Sequence, residues 1–585
     1  MVSPRVPRHL PQRLTLAFAA FALAACTADG GDAVASTPQL ATSGPETAGV
    51  VSAADPRAAE AGAEMLRKGG SATDAAIATM LALGVIEPQS SGIGGGGFLV
   101  TGDKAGAVAT FDGRETAPMA AGPDWFLDAA GKPRGFMDAV RSGLSVGVPG
   151  NLRLAAKAHE RGGKLPWKTL FDPAIALAGN GFAITERMHG FLGDAKDRAA
   201  ASPSGQKLFY DADGNPLPVG TVVKNPELAA TLKKIAAQGP DAFYTGDNAL
   251  AIATKVSAAT PGPRGMVTGD IEHYTARERE PVCGHYRTYR ICGMGPPSSG
   301  ATTVIAILDQ LEGFDMTALG KDSPVAWHLF AESQRLAFAD RELYLGDSDF
   351  IQVPVAGLVD EAYLRQRGAL ISPDHTMAGA TAGTPPAAAS LSWADGDEPE
   401  EHGTTHFVAI DQWGDAASYT STVEGSFGSG LMVGGYYLNN ELTDFSFSPD
   451  MNGRPVANRV EPGKRPRSSM APTLVYDKDG KLVLAIGAAG GATIPVQVAK
   501  ALVGWIDWHL SAQDAIALPM LYSPGDAITL EPGSPLEAMV PALTALGHAS
   551  IAERPMPLKA NAVERTAAGW RGAADPRSEG GSVKQ

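Results

Sequence analysis

One junction constrains this chain more than any other. An acidic run, Asp395-Gly396-Asp397-Glu398-Pro399-Glu400-Glu401, is a poor candidate for a packed core, and it ends at Gly403-Thr404-Thr405-His406. From Thr405 to Asp411 the residues alternate as a half-buried strand does. A hydroxyl residue therefore stands where a loose segment meets a strand of the core. Cutting the bond Gly403-Thr404 would give Thr404 both a hydroxyl and a free α-amine on a rigid strand end. That pairing makes a threonine nucleophile activated by its own amine. An unperturbed α-amine has a pKa of about 7.7–8.0, so much of it is basic near pH 7. By itself the pair is also what an ordinary strand start looks like, and the residues downstream decide between the two readings.

The stretch Thr420-Ser421-Thr422-Val423-Glu424-Gly425-Ser426-Phe427-Gly428-Ser429-Gly430 leads into Leu438-Asn439-Asn440-Glu441-Leu442-Thr443-Asp444-Phe445-Ser446. Lys464-Arg465-Pro466-Arg467-Ser468-Ser469-Met470 and Gly487-Ala488-Ala489-Gly490-Gly491 come later. In this order and spacing they resemble the small subunit of the gamma-glutamyltranspeptidases, N-terminal nucleophile hydrolases that cleave themselves ahead of a threonine. Periodicity alone reaches only an α/β or α+β protein. The resemblance implies an α+β fold, the four-layer αββα sandwich, made as one precursor chain.

The resemblance also assigns roles. Thr404 is the nucleophile, cleaved free at Gly403-Thr404, and Thr422 orients it by a hydrogen bond. Gly490 and Gly491 supply the oxyanion hole, which suits backbone N–H groups at a helix start. In Arg114-Glu115-Thr116-Ala117-Pro118, Arg114 matches the arginine that clasps the substrate α-carboxylate, where a planar guanidinium serves better than lysine. Ser468 and Ser469 would share that carboxylate. Glu441 and Asp444 would hold the α-ammonium at the opposite end, and Glu424 stands at a further substrate-contacting position.

Two features depart from the family. The segment Ser446–Arg465 is short and contains no Tyr, so the loop that covers the glutamyl pocket in some members is expected to be reduced or absent. Arg467 stands where a small or apolar residue is more usual. Both leave acceptor choice open, and they keep a cephalosporin or glutaryl acylase of the same fold in play. Glu441 and Asp444 argue for a γ-glutamyl hydrolase and transferase acting on glutathione and related compounds. A non-catalytic envelope lipoprotein is the reading from another class, and it predicts loss of Thr404 or of Gly490-Gly491.

The ends carry other information. Arg5, Arg8 and Arg13 precede an apolar run, Leu14 to Ala25, that is too short for a stable anchor and ends in Leu23-Ala24-Ala25-Cys26. Residues 1–25 thus read as a lipoprotein signal, with Cys26 acylated and Thr27 after it suggesting the outer membrane. Residues 26–49 form a tether, 50–403 the large subunit and 404–585 the small one. The expected location is the periplasmic face of a bacterial envelope, with membrane contact through the lipid alone.

Composition bounds the rest. With 44% apolar and 19% charged residues the chain is globular, and a net charge of −15 disfavours nucleic acid as a partner. Cys283 and Cys292 lie in a short hairpin that could bring them together, and an exported protein tolerates a disulfide. No cofactor is expected, and no metal, since the 11 histidines show no H-E-x-x-H spacing. Gly92, Gly94 and Gly97 match a dinucleotide fingerprint, but a strand follows where a helix should start, so close packing of backbone is the better reading. The Ala-, Pro- and Gly-rich stretch from 373 to 403 reads as mobile.

Overall fold

The computed structural model describes residues 48–388, 393–394 and 403–585. The signal, Cys26 and nearly all of the tether lie outside the described residues, as does the acidic run before Gly403. Gly49, expected as the end of the tether, is already buried, and its N–H donates to the Gln585 side chain at 3.0 Å.

Strand β1 (Val50–Ala53) leads into helices α1 (Pro56–Arg67) and α2 (Ala72–Ile86). Asp55 caps α1 with proline at its first turn, and Ser71 and Asp74 close α2 with a reciprocal capping box. Strands β2 (Gly96–Gly102), β3 (Val108–Asp112) and β4 (Arg277–Arg279) follow, the last after a run of helices and loops. A hairpin, β5 (Val282–Tyr286) and β6 (Tyr289–Gly293), precedes helices α3 (Gly300–Asp309), α4 (Pro324–Tyr344) and α5 (Glu361–Gly368). Past Gly403 come β7 (Thr405–Ile410), β8 (Ala416–Thr422), β9 (Thr473–Tyr476), β10 (Leu482–Ala489) and helix α6 (Ile494–Ile506). Strands β11 (Lys559–Thr566), β12 (Gly569–Ala574) and β13 (Gly581–Lys584) end the chain.

The strands form two main antiparallel sheets, ordered β13-β1-β7-β8-β2-β3-β4 and β12-β11-β10-β9-β6-β5. Helices α1 and α2 cover the outer face of the first sheet, and α3 and α6 cover that of the second. Alternate residues of β7 show why four layers result. Phe407 and Ala409 pack into the core shared with α1 and α2, whereas Val408 and Ile410 pack into the core between the sheets. Every residue of β7 is consequently buried, not half of them. Period-two alternation marks the two faces of a strand but does not say that one face is wet.

Residues from both sides of Gly403-Thr404 share each sheet: β7 and β8 sit between β1 and β2 in one, and β9 pairs with β6 in the other. Cys283 and Cys292 are directly paired across the β5–β6 hairpin and joined by a disulfide. The glycine-rich turn before β2 is a packing device. A Cβ on Gly94 would lie 2.1 Å from the Tyr437 carbonyl oxygen, and one on Gly95 1.9 Å from that of Thr422.

The stretch expected to be mobile is, in its described part, fastened to α4 and α5. Glu332 accepts from Met377 N–H at 2.7 Å, Asp340 accepts from Gly383 N–H at 2.7 Å, and Arg367 donates to the Thr381 carbonyl at 2.7 Å. Few apolar side chains are needed when charged groups of neighbouring helices satisfy the backbone directly.

Candidate active site

Thr404 precedes the first residue of β7, and its position follows from what surrounds His406 two residues on. The His406 ring lies against Gly487 of β10, and Nδ1 is 2.8 Å from Thr420 Oγ1. Its carbonyl accepts from Asn561 Nδ2 of β11 at 3.0 Å. β7, a strand of the first sheet, therefore lies against β10 and β11 of the second through His406, on the strand that runs into Gly490-Gly491. Complete burial pushes the His406 imidazole down to about 3, so it is neutral at pH 7.

Thr404 Oγ1 is 3.1 Å from Thr422 Oγ1, and both residues are buried. Thr422 Oγ1 accepts from Glu424 N–H at 2.8 Å, which leaves its own proton for the Thr404 oxygen. Two local features mark the bond before Thr404. A Cβ on Gly403 would sit 1.7 Å from the Glu424 carbonyl oxygen, so only glycine fits. Thr404 itself has φ of 136°, a region that a β-branched residue avoids and that costs about 1–3 kcal/mol.

Gly490, at φ 135°, turns the chain out of β10 into a short helical turn, Gly491–Thr493, ahead of α6. Gln497 on α6 holds this turn from behind. Its Nε2 donates to the Ala489 carbonyl at 2.8 Å and to Thr493 Oγ1 at 2.9 Å. Sequence reading passed over Gln497 because a polar residue one turn into a helix carries no distinguishing pattern.

Arg114 is 1% exposed, although it follows a strand end where a solvated charge is ordinary. Its Nη1 pairs with Glu441 and its Nη2 with Asp444. Nη2 also donates to the Arg467 carbonyl at 2.7 Å, and Nε to that of Pro466 at 3.1 Å. The residues expected to hold the two ends of the zwitterion are thus in direct contact with each other. A buried guanidinium requires partners of opposite charge, and these two carboxylates supply them. Glu424, Glu441 and Asp444 each place a carboxylate oxygen within 4.8 Å of the others, so Glu424 links the threonine pair to the charged group.

Ser468 Oγ accepts from Met470 N–H at 3.2 Å, and Ser469 Oγ accepts from Arg341 Nη2 at 2.8 Å. As acceptors in these bonds, both hydroxyls keep a proton for an anion. Arg467 turns away from them, its Nη1 donating to the Arg341 carbonyl at 2.9 Å and its Nη2 pairing with Glu342. Burial would raise the Glu342 carboxyl, but Arg341 and Arg467 outweigh it and hold it below the usual range.

Two further residues shape the charged group. Asn439 accepts from Glu441 N–H at 3.0 Å and donates to the carbonyls of Gly94 and Gly147 at 2.9 Å, which fixes the turn bearing Glu441. Glu115 is wholly buried, and burial pushes its carboxyl up to about 8 in spite of Arg114 beside it. The segment Ser446–Arg465 forms a small hairpin, Asp450–Met451 with Arg454–Pro455, and Ala394 bridges to Val456 on it.

The chain is similar to known proteins over most of its length. The gamma-glutamyltranspeptidase family model matches residues 58–584. The glutathione hydrolase proenzyme of Bacillus subtilis (strain 168) is 37% identical over 509 residues, 86% of this chain and 85% of that one. The acylase ACY 1 proenzyme of Pseudomonas sp. (strain SE83) is 36% identical over 508 residues, 86% of this chain and 87% of that one. The crystal structure of a cephalosporin acylase from Bacillus halodurans superposes with a TM-score of 0.79 at 25% identity, covering 94% of this chain and 99% of that one. With a family model spanning nearly the whole described fold, and two hydroxyls meeting at the start of β7, this chain belongs to the gamma-glutamyltranspeptidase family.

Proposed function

We propose that the chain is a self-cleaving γ-glutamyl hydrolase and transferase with Thr404 as nucleophile. The observation that carries the reading is the Thr404–Thr422 hydroxyl contact, joined through Glu424 to the Arg114, Glu441 and Asp444 group. In the first step Thr404 Oγ attacks the Gly403 carbonyl carbon. The hydroxyl proton passes to the Thr404 nitrogen as the amide bond breaks, leaving an ester. Water then cleaves the ester, freeing a Gly403 carboxylate, the Thr404 hydroxyl and its α-amine. The positive φ of Thr404 favours this step, since strain in the intact chain is lost once the bond is cut.

In turnover the α-amine of Thr404 takes the proton as Oγ attacks the γ-amide carbonyl, then gives it to the leaving amine. The Gly490 and Gly491 N–H groups face the developing oxyanion, a contribution of about 3–4 kcal/mol where it has been measured by removing one donor. Water or an acceptor amine then releases the γ-glutamyl group from Thr404.

The charged group favours γ-glutamyl donors. With both carboxyls ionised, Arg114, Glu441 and Asp444 carry a net charge of −1; a γ-glutamyl head, carboxylate plus ammonium, leaves that unchanged, whereas a glutaryl chain adds a second uncompensated negative charge. The Asp444 side chain is 22% exposed against 0% for Glu441, so a substrate carboxylate reaches Arg114 by displacing Asp444, which then meets the ammonium. The acylase reading rests on the Pseudomonas acylase relative and the Bacillus halodurans acylase structure. Rates on a γ-glutamyl anilide and the matching glutaryl anilide separate the two: a strong preference for the first is expected, and comparable rates would promote the acylase. The intact mass of the purified protein tests the rest. Fragments 26–403 and 404–585 are expected, the former lipidated at Cys26 after export to the periplasmic side. A soluble protein starting beyond Cys26 would remove the lipoprotein reading and leave the enzyme reading standing.

A further inference from the structure

Three buried ligating groups meet away from Thr404. His328 and Glu332 stand one turn apart on α4, and His548 comes from the segment after the helix Val540–Ala545. They are 0%, 0% and 3% exposed. One donor atom from each lies within 4.8 Å of the other two. No spacing rule finds such a set, because the two histidines are 220 residues apart in sequence.

The hydrogen bonds around the three residues are those of ligands held ready. His328 Nε2 is 2.8 Å from the Ser372 carbonyl, which can only accept, so Nε2 carries the hydrogen. Nδ1 of the neutral ring can then only accept, and it takes the hydrogen of His548 Nε2, 2.7 Å away, in the place where an ion would take both lone pairs. Metal-bound histidines are commonly oriented by a backbone carbonyl in this way. Glu332 is steadied similarly: Oε1 accepts from Arg335 Nη1 and Thr376 Oγ1, both at 2.7 Å. Among the described residues Oε2 accepts from Met377 N–H alone, at 2.7 Å, and keeps a lone pair. Arg335 also pairs with Asp526, so the added positive charge of an ion meets two carboxylates and one guanidinium.

We propose that His328, Glu332 and His548 bind a divalent transition-metal ion such as Zn²⁺, which staples the outer helix α4 to the segment after Ala545. Two imidazoles and a carboxylate suit Zn²⁺ and leave a tetrahedral ion one position for water. His328 lies roughly 20 Å along α4 from Arg341, which touches Ser469, so the ion would sit apart from the Ser468–Ser469 end of the candidate site. That the staple spans the two fragments rests on self-cleavage at Gly403-Thr404, whereas ion binding itself does not. The competing account is a plain hydrogen bond from His548 Nε2 to His328 Nδ1.

The full-length purified protein, stripped with a chelator and dialysed, should take up about one Zn²⁺ per chain pair. Saturating Zn²⁺ should raise Tm by roughly 3 °C or more. His548→Gln and Glu332→Gln should each lose the ion and the Tm response, while γ-glutamyl anilide hydrolysis stays within about twofold. A wild-type protein that binds no Zn²⁺ and shows no rise would overturn the proposal, whatever the variants do. So would a folded His548→Gln that keeps the same ion count and the same rise. Ion counting does not depend on turnover, so failure here leaves the function reading untouched.

Discussion

The nucleophile end and the charged end of the candidate site are built on different physics. Thr404 and Thr422 are neutral hydroxyls held by strands of one sheet, and their contact needs only the β7–β8 ladder and the Gly403 packing contact. Arg114 comes from a segment distant from the turn that carries Glu441 and Asp444, and ion pairs across that gap join backbone contacts to Pro466 and Arg467 in holding Arg114. Losing a part of the first should change chemistry with little effect on folding. Losing a part of the second should change both. Where burial threatens to put a charge in the wrong place, both ends contain a neutralised group: His406, pushed down to about 3, and Glu115, pushed up to about 8.

Thr404→Ala should break the comparison most plainly. The variant is expected to stay one uncut chain on a denaturing gel, with activity down by at least about 10³-fold and Tm near that of the wild-type precursor. Splitting at the same bond in this variant would refute the nucleophile assignment.

Arg114→Ala should cost folding as well as catalysis. Removing one partner from a buried ion group leaves Glu441 uncompensated, an expected loss of about 3–5 kcal/mol by denaturant unfolding. Both anilides should be hydrolysed more slowly, since both present a carboxylate. An unchanged stability would mean that the ion group is not formed in solution.

Asp444→Asn should be milder, because that side chain is partly exposed. Its effect should appear in selectivity: the preference for γ-glutamyl over glutaryl anilide should shrink by about 30- to 150-fold, or 2–3 kcal/mol. A preference that survives intact would move the ammonium site to Glu424 or Glu441.

The neutralised acid predicts a pH dependence. Glu115 has its folded pKa raised, so its contribution to stability is complete below the unfolded value near 4.5 and is lost as pH rises through about 8. Between pH 6.5 and 8 the wild type should lose on the order of 1–2 kcal/mol that Glu115→Gln keeps, read from unfolding midpoints. His406 works in the opposite sense: its folded pKa is depressed, so stability present above pH 6.5 is lost as pH falls toward 3.

Thr422→Val should give the smallest change, a fall in kcat of about 5- to 10-fold with KM nearly constant, because one hydroxyl contact to the nucleophile is removed. An equal fall in a variant already lacking Thr404 would show that Thr422 acts by other means.

Much of the nucleophile end was legible in the chain because it is local. Gly403, Thr404 and Thr422 lie within twenty residues, on two strands joined by the Asp411–Asp415 turn, so the roles that the resemblance implied for them needed only one hairpin to be met. The charged end was legible only as a set of residue types. That Arg114 contacts Asp444 is a matter of how the Gly113 turn meets the short helical turn Glu441–Asp444, which no spacing encodes. Composition misled at 376–388, where Ala, Pro and Gly suggested mobility while charged side chains of α4 and α5 hold the backbone.

By itself the sequence determined the elements and the chemistry available to them: where strands begin, which hydroxyl stands at a junction, and which charged residues accompany it. The strand starts follow from short-range rules, hydrophobic period and turn preference, that act within a few residues, whereas the roles of the hydroxyl and the charged residues came from the resemblance to the family. Only the tertiary structure decided that β7 is buried on both faces, that Arg114 is already paired, and that His328 and His548 lie within hydrogen-bonding distance. Each of these depends on which surfaces pack together across hundreds of residues, and the free energy that selects that packing is shared among many contacts, none marked in the local sequence.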